Sequence, residues 1–199
     1  MYISQLPGFN MRIRVFISLT VSDKVQSIIA DIQAELKEYP ENQVTWTKPH
    51  LTHLTLKFLG DVEEKDLHLI STCLNNISNY SSPIRLNLTT TGVFPTIKNP
   101  NVMWIGVGGS EALQILKSNV ENKLSSQGFQ KDAHELVPHL TLGRIRKLKT
   151  GTKMIERFRS ISIPPIVWMV NDVKLMSSRL TPTGVNYKTL SIATLKSQR

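Results

Sequence analysis

Apolar and polar residues alternate along RIRVFISLT at 12–20, placing Ile13, Val15, Ile17 and Leu19 on one side of an extended chain. That period of two predicts a half-buried strand. Val25, Ile28, Ile29, Ile32 and Leu36 then recur at intervals that predict a helix over 22–38, with Ser22 as its N-cap and Pro40 beyond its end. HLTLKFLG at 53–60 returns to a strand pattern. It leads to a second helix with Leu67, Ile70, Leu74 and Ile77 on one face, acidic residues in the first turn and His68 turned to solvent. Past the breaker-rich NYSSP segment, IRLNLTTTGVF and VMWIGVG flank the turn residues 98–101 and predict a hairpin. A third helix is expected from an N-cap at Ser110 through Leu113, Leu116, Val120 and Leu124 to a stop near Gly128. HLTLGRIR at 139–146 predicts a strand and 153–158 a short helix, with VWMVNDVKLMSS and NYKTLSIATL as two final strands.

Strands that follow one another through short turns favour antiparallel pairing, because every parallel crossover would need a helix of its own. The expected fold class is α+β, in two lobes. Composition agrees with a globule able to bury a core: 40% of the 199 residues are hydrophobic and 20% charged. No stretch approaches the roughly 20 apolar residues of a membrane span. The opening MYISQLPGFN lacks the apolar run of a secretory signal, so a cytoplasmic protein without a membrane partner is expected. The single cysteine, Cys73, can form no intramolecular disulfide and no Cys-rich zinc site. Lys and Arg number 24 against 15 Asp and Glu, a formal charge of +9 that favours polyanionic partners without specifying one.

Candidate chemistry enters with a repeat. The string HLTL occurs at 53–56 and again at 139–142, each time inside an expected strand. Residues i and i+2 of a strand share a face, so His53 pairs with Thr55 and His139 with Thr141 while the leucines point to the core. Two lobes related by a pseudo-two-fold axis would bring both imidazoles and both hydroxyls to a central cleft. Phosphodiester hydrolysis needs one group to take a proton from water, another to protonate the leaving oxygen, and donors for the phosphate oxygens. Imidazoles suit the first two tasks and threonine hydroxyls the third. Arg144 could add a charge-assisted contact, but strict strand parity puts it on the face opposite His139, so it reaches the cleft only through a bulge, a twist or the length of its side chain.

Other histidines weigh less. His50 with Thr52 offers a competing His-x-Thr register, yet only the string beginning at His53 matches the second copy, and His50 is expected at the strand's edge, facing away from His53. A metal held by His50 and His53 is disfavoured for that reason, so no metal or other cofactor is expected. His134 is expected to be a solvated loop residue. Trp46 and Phe58 are candidates for stacking on a base, with core packing the stronger expectation for Phe58.

These motifs resemble the 2H phosphoesterase superfamily, specifically its RNA 2',3'-cyclic phosphodiesterase branch, the 2'-5' RNA ligase-like proteins. The resemblance runs from Met11 and includes RIRVFISL, the WTKP before the first motif, VPHLTLGR and the closing VKLMSSRLTPTGVNYKTL. Residues 1–10 fall outside it, an extra N-terminal segment ahead of a single two-lobed domain over 11–199, with Met11 as the expected natural start. The HLT between Pro49 and His53 departs from the short polar stretch of relatives. The resemblance implies two antiparallel sheets flanked by helices around a cleft, with His53 as proton donor and His139 as proton acceptor. It further implies an RNA partner whose 2',3'-cyclic phosphate end opens to a 2'-phosphate, with no metal involved. Joining of RNA ends, simple binding of RNA ends and hydrolysis of a small cyclic nucleotide are the alternatives. A monomer without a protein partner is the default expectation.

Overall fold

The computed structural model describes residues 12–40, 42–109, 111–147, 153–181 and 184–196. In chain order the elements are β1 (Arg12–Thr20), α1 (Asp23–Leu36), β2 (Gln43–Trp46), β3 (His53–Glu63), α2 (Leu67–Ser78), β4 (Ile84–Thr96), β5 (Asn99–Gly109), α3 (Glu111–Ser125), β6 (His139–Lys147), α4 (Lys153–Ser160), β7 (Val167–Val170), β8 (Asp172–Thr181) and β9 (Gly184–Thr194). The strands form two sheets, ordered β3-β1-β8-β9 and β2-β6-β5-β4-β7, and every pairing is antiparallel. The α+β expectation therefore holds. The series β3-β1-β8 in one sheet answers to β6-β5-β4 in the other, and β2 is an addition outside β6.

The helices follow from the apolar periodicity. Ser22 Oγ accepts the Val25 N–H at 3.4 Å and caps α1, whose Val25, Ile29, Ile32 and Leu36 are buried. Ile70, Leu74 and Ile77 are buried on α2, and Leu113, Leu116, Val120 and Leu124 on α3. Gly128, at φ +92°, takes the left-handed conformation that ends the α3 region. His68 is exposed, as its place off the apolar face requires. The N-cap expected at Ser110, the 1–10 segment and Met11 lie outside the described residues.

Two expectations need correction, and one element was not anticipated. Glu64 and Asp66 occupy a separate 3-10 turn, Glu64–Asp66, ahead of α2 instead of its first turn. VWMVNDVKLMSS is not one strand: Val167–Val170 pairs with β4 in the five-stranded sheet, and Val173–Ser177 pairs with β1 in the other. Asn171 is the crossing between sheets. The third difference is β2, four residues with no alternation long enough to be read as a strand.

The leucines of both HLTL strings are at most 1% exposed. With Ile17, Leu19, Met103 and Ile105 they belong to a single buried cluster that includes residues of both sheets and all four helices. No helix among the described residues is long and apolar enough to cross a membrane.

Candidate active site

The two HLTL strands carry the same irregularity. In β3, Thr55 pairs with Ser18 and Lys57 with Ile17, leaving Leu56 as an extra residue. In β6, Thr141 pairs with Trp104 and Gly143 with Met103, leaving Leu142 extra. Each is a bulge that buries two consecutive residues and resets the strand's parity. Phe58 and Arg144, each five residues past its histidine, therefore return to the face that carries the histidines. Both line a cleft of about 900 Å³ together with His53, Thr55, His139 and Thr141. The obstacle that strict alternation placed before Arg144 is removed by the bulge.

Between the bulge residues the duplication breaks. A side chain at Gly143 would collide with Val44 Cγ1 at 2.8 Å and Trp46 Cε3 at 3.0 Å. The indole of Trp46 thus packs over Gly143, with Lys37 Nζ 5.9 Å from its ring centroid. Trp46 is not among the residues lining the cleft. Phe58 does line the cleft and is 68% exposed, against the expectation of core packing.

Both imidazoles are held alike. His53 Nδ1 lies 2.8 Å from the Leu51 carbonyl oxygen and His139 Nδ1 lies 2.7 Å from that of Val137. A carbonyl only accepts, so each Nδ1 carries the proton and each neutral ring is left with a bare Nε2. Aromatic rings back both. Phe16 stacks on His53 at 4.8 Å and Tyr187 meets it edge-on at 5.2 Å, while Phe94 meets His139 edge-on at 5.0 Å and Trp104 lies at 6.1 Å. Burial among these rings is the main force lowering both histidine pKa values, and the carbonyl contacts oppose it in part. A further lowering reaches His53 from the charge of His139, and His139 from that of Arg144. Burial raises the Tyr187 pKa, whereas Arg144 pulls it down. The charge on β6 is thus felt by Tyr187 on β9, across the cleft.

The remaining histidines are placed otherwise. His50 is exposed in a 3-10 turn, Pro49–Leu51, outside strand β3, so its relation to His53 is not one of opposite strand faces. Thr52 is buried against the cleft with no hydrogen-bond partner on Oγ1. His134 is an exposed residue of the loop that also lines the cleft. Among the described residues no group of three or more His, Cys, Asp or Glu side chains is placed to hold a metal ion.

One feature beside the cleft had no counterpart in the sequence patterns. Lys57, next to the extra residue of the β3 bulge, is 1% exposed. Its Nζ donates to Glu121 Oε1 and Oε2 at 3.0 and 2.9 Å, to Asp132 Oδ1 at 3.1 Å and to the Gln130 carbonyl at 2.8 Å. Lys117 bonds the same two carboxylates. Burial pushes the Asp132 carboxyl up, but hydrogen bonds from Lys117 and Lys57 outweigh it and hold the pKa low. This knot ties β3 to α3 and to the start of the loop that ends at Val137, whose carbonyl orients His139. Only the Lys117–Glu121 spacing, i to i+4 on a helix, was legible in the sequence.

Comparison with known proteins supplies independent context. The profile of the 2'-5' RNA ligase superfamily matches residues 21–181. An RNA 2',3'-cyclic phosphodiesterase of Thermotoga maritima is 33% identical over 178 residues, covering 89% of this chain and 92% of its own. That of Archaeoglobus fulgidus is 32% identical over 180 residues, covering 90% and 98%. Among solved structures, a Thermus thermophilus protein superposes with a TM-score of 0.78 at 22% identity, covering 94% of this chain and 100% of its own. The structure of E. coli LigT with 3'-AMP gives a TM-score of 0.73 at 20% identity, covering 94% and 99%. These two establish likeness of fold.

Proposed function

The chain belongs to the 2'-5' RNA ligase superfamily, the 2H phosphoesterases, and from that premise we propose that its cleft hydrolyses the 2',3'-cyclic phosphate at an RNA end to a 2'-phosphate. The names of its relatives support the reaction. The observation that carries the reading within this chain is the matched pair of imidazoles. Each has Nδ1 fixed by the carbonyl two residues earlier and Nε2 free, and the two are close enough for one to lower the other's pKa.

In the reaction a water attacks phosphorus and the bond from phosphorus to the 3' oxygen breaks. His139, neutral, takes the water's proton on Nε2. His53, protonated, gives its Nε2 proton to the departing 3' oxygen, leaving a 2'-phosphate and a free 3'-hydroxyl. Thr55 and Thr141 donate their hydroxyls to the nonbridging oxygens, and Arg144 offers its guanidinium to the charge that grows there. Phe58, exposed beside them, offers a face on which a base can stack. The two imidazoles supply both proton transfers, so the mechanism calls on no metal ion.

The test is to incubate the protein with a short RNA ending in a 2',3'-cyclic phosphate, in excess EDTA, and to locate the product phosphate by phosphorus NMR. A 2'-phosphate is expected, with turnover lowered roughly 10²- to 10⁴-fold in His53→Ala and in His139→Ala. A cyclic end that binds tightly and never opens would replace this reading by one of RNA-end binding.

A further inference from the structure

Arg14 is a cation that opening the cyclic phosphate leaves unused. It lines the cleft. The register irregularity between Val15 and Phe16 puts the extra residue, Leu59, on β3, so β1 keeps its alternation and Arg14 shares a face with Phe16. Phe16 is the ring stacked on His53. The guanidinium therefore starts one same-face step, roughly 7 Å, along β1 from the backing of that imidazole. Asp61 is its direct cross-strand neighbour, yet among the described residues Arg14 makes no ion pair with Asp61 or any other carboxylate.

The other cleft-lining cations are accounted for. Lys57 is fully engaged by Glu121, Asp132 and the Gln130 carbonyl, and Arg144 belongs to the wall of His139. Among the described residues Glu135 is the one acidic lining residue besides Asp132, so the anion-attracting charge they give the cleft resides in the two arginines. Exposed apolar surface borders Arg14's end of the cleft. Phe58 pairs with Phe16, and Leu180, 81% exposed, pairs with Val185 at the tip of the β8–β9 hairpin. A guanidinium beside exposed apolar side chains suits a phosphodiester flanked by a base.

We propose that Arg14 forms a second phosphate subsite, which holds the phosphodiester on the 5' side of the terminal nucleotide while its cyclic phosphate lies between the histidines. The inference rests on the reaction proposed above and makes the substrate an oligonucleotide end. A free cyclic nucleotide has one phosphate and leaves Arg14 unpaired. An RNA end brings a second.

The experiment compares kcat/KM for a nucleoside 2',3'-cyclic phosphate with that for the same nucleoside bearing a 5'-phosphodiester, in the wild type, Arg14→Gln and Arg14→Lys. A charge-assisted contact predicts a wild-type preference for the second substrate of roughly 10-fold or more, carried mainly by KM. In Arg14→Gln that preference should fall toward one, in Arg14→Lys it should be partly kept, and in the wild type it should shrink as salt rises. A wild type that hydrolyses both substrates equally overturns the subsite alone. A preference that survives intact in Arg14→Gln, both substrates slowing by one factor, overturns it as well and makes Arg14 a structural residue. A wild type that hydrolyses neither removes the proposed reaction and the subsite with it.

Discussion

His53 and His139 are lowered by the same first cause, burial beside aromatic rings, and the consequence for pH can be worked out. In the proposed reaction one imidazole is charged and the other neutral, so kcat/KM should be bell-shaped in pH with limbs set by the pair. Both values lie below the ordinary 6.5, which places the maximum of kcat/KM on the acid side of that value. An anionic phosphate between the rings favours their charged forms, so the kcat profile should lie at higher pH than that of kcat/KM. Rates measured from about pH 4.5 to 8.5 would test this, and a kcat/KM maximum well above neutrality would reject the assignment of both limbs to these histidines. Stability follows from the same shifts. The folded protein favours the neutral imidazoles, so their contribution is fully present above the unfolded value and is lost as pH falls through the lowered folded ones. Denaturant midpoints should decline from pH 7 to 5 by less in His53→Gln than in the wild type. Among single residues, His53 and His139 were legible because a four-residue string occurs twice. Phe58 and Trp46 were not, because an aromatic residue beside a buried strand carries no mark of which side it takes.

At the scale of elements, legibility depended on how long a period persists. α1, α2 and α3 each sustain a helical apolar face over three turns or more, and most residues the spacing singled out are buried, with Ile28 and Leu67 half-buried and Gln33, Cys73, Ser78 and Lys117 buried besides. β2 offers four residues and no such run. The split of VWMVNDVKLMSS between two sheets was hidden because an alternating pattern says which face is buried, not which neighbour is paired. The bulge at the last residue of each HLTL is invisible for a related reason: two consecutive buried residues look like an error in the alternation. Lys57 shows what such a position can hold. In sequence a lysine between Leu56 and Phe58 reads as solvated, whereas the fold brings it carboxylates from Glu121 and Asp132, 64 and 75 residues away. Removing it by Lys57→Met leaves two carboxylates facing Lys117 alone, and loss of one partner from so buried a group typically costs about 3–5 kcal/mol. Urea unfolding would measure this. Lys65→Met, by contrast, breaks an exposed pair with Glu63 and is expected to leave the urea midpoint in place. Equal midpoints for the two variants would mean that the knot adds no stability.

The whole molecule presents a catalytic reading divided between two sheets, which works only if the sheets keep their relative position. Several features tie them. The buried residues form one cluster, the chain steps from one sheet to the other at Asn171, and Lys57 reaches from β3 to α3. Trp168 on β7 also donates its Nε1–H to the Thr20 carbonyl at the end of β1, at 3.3 Å. Such coupling predicts that the lobes unfold together. The sequence provides two separate reporters. Trp46, Trp104 and Trp168 all lie in the five-stranded sheet, whereas Cys73, the chain's one cysteine, is buried on α2, which packs against β8 and β9 of the other. Tryptophan fluorescence and thiol labelling of Cys73 should therefore give the same denaturant midpoint and slope. If Cys73 became reactive well before the fluorescence changed, the β3-β1-β8-β9 lobe would open by itself. His53 would then be carried on a unit able to part from His139, and the cleft would be assembled only when substrate bridges the lobes.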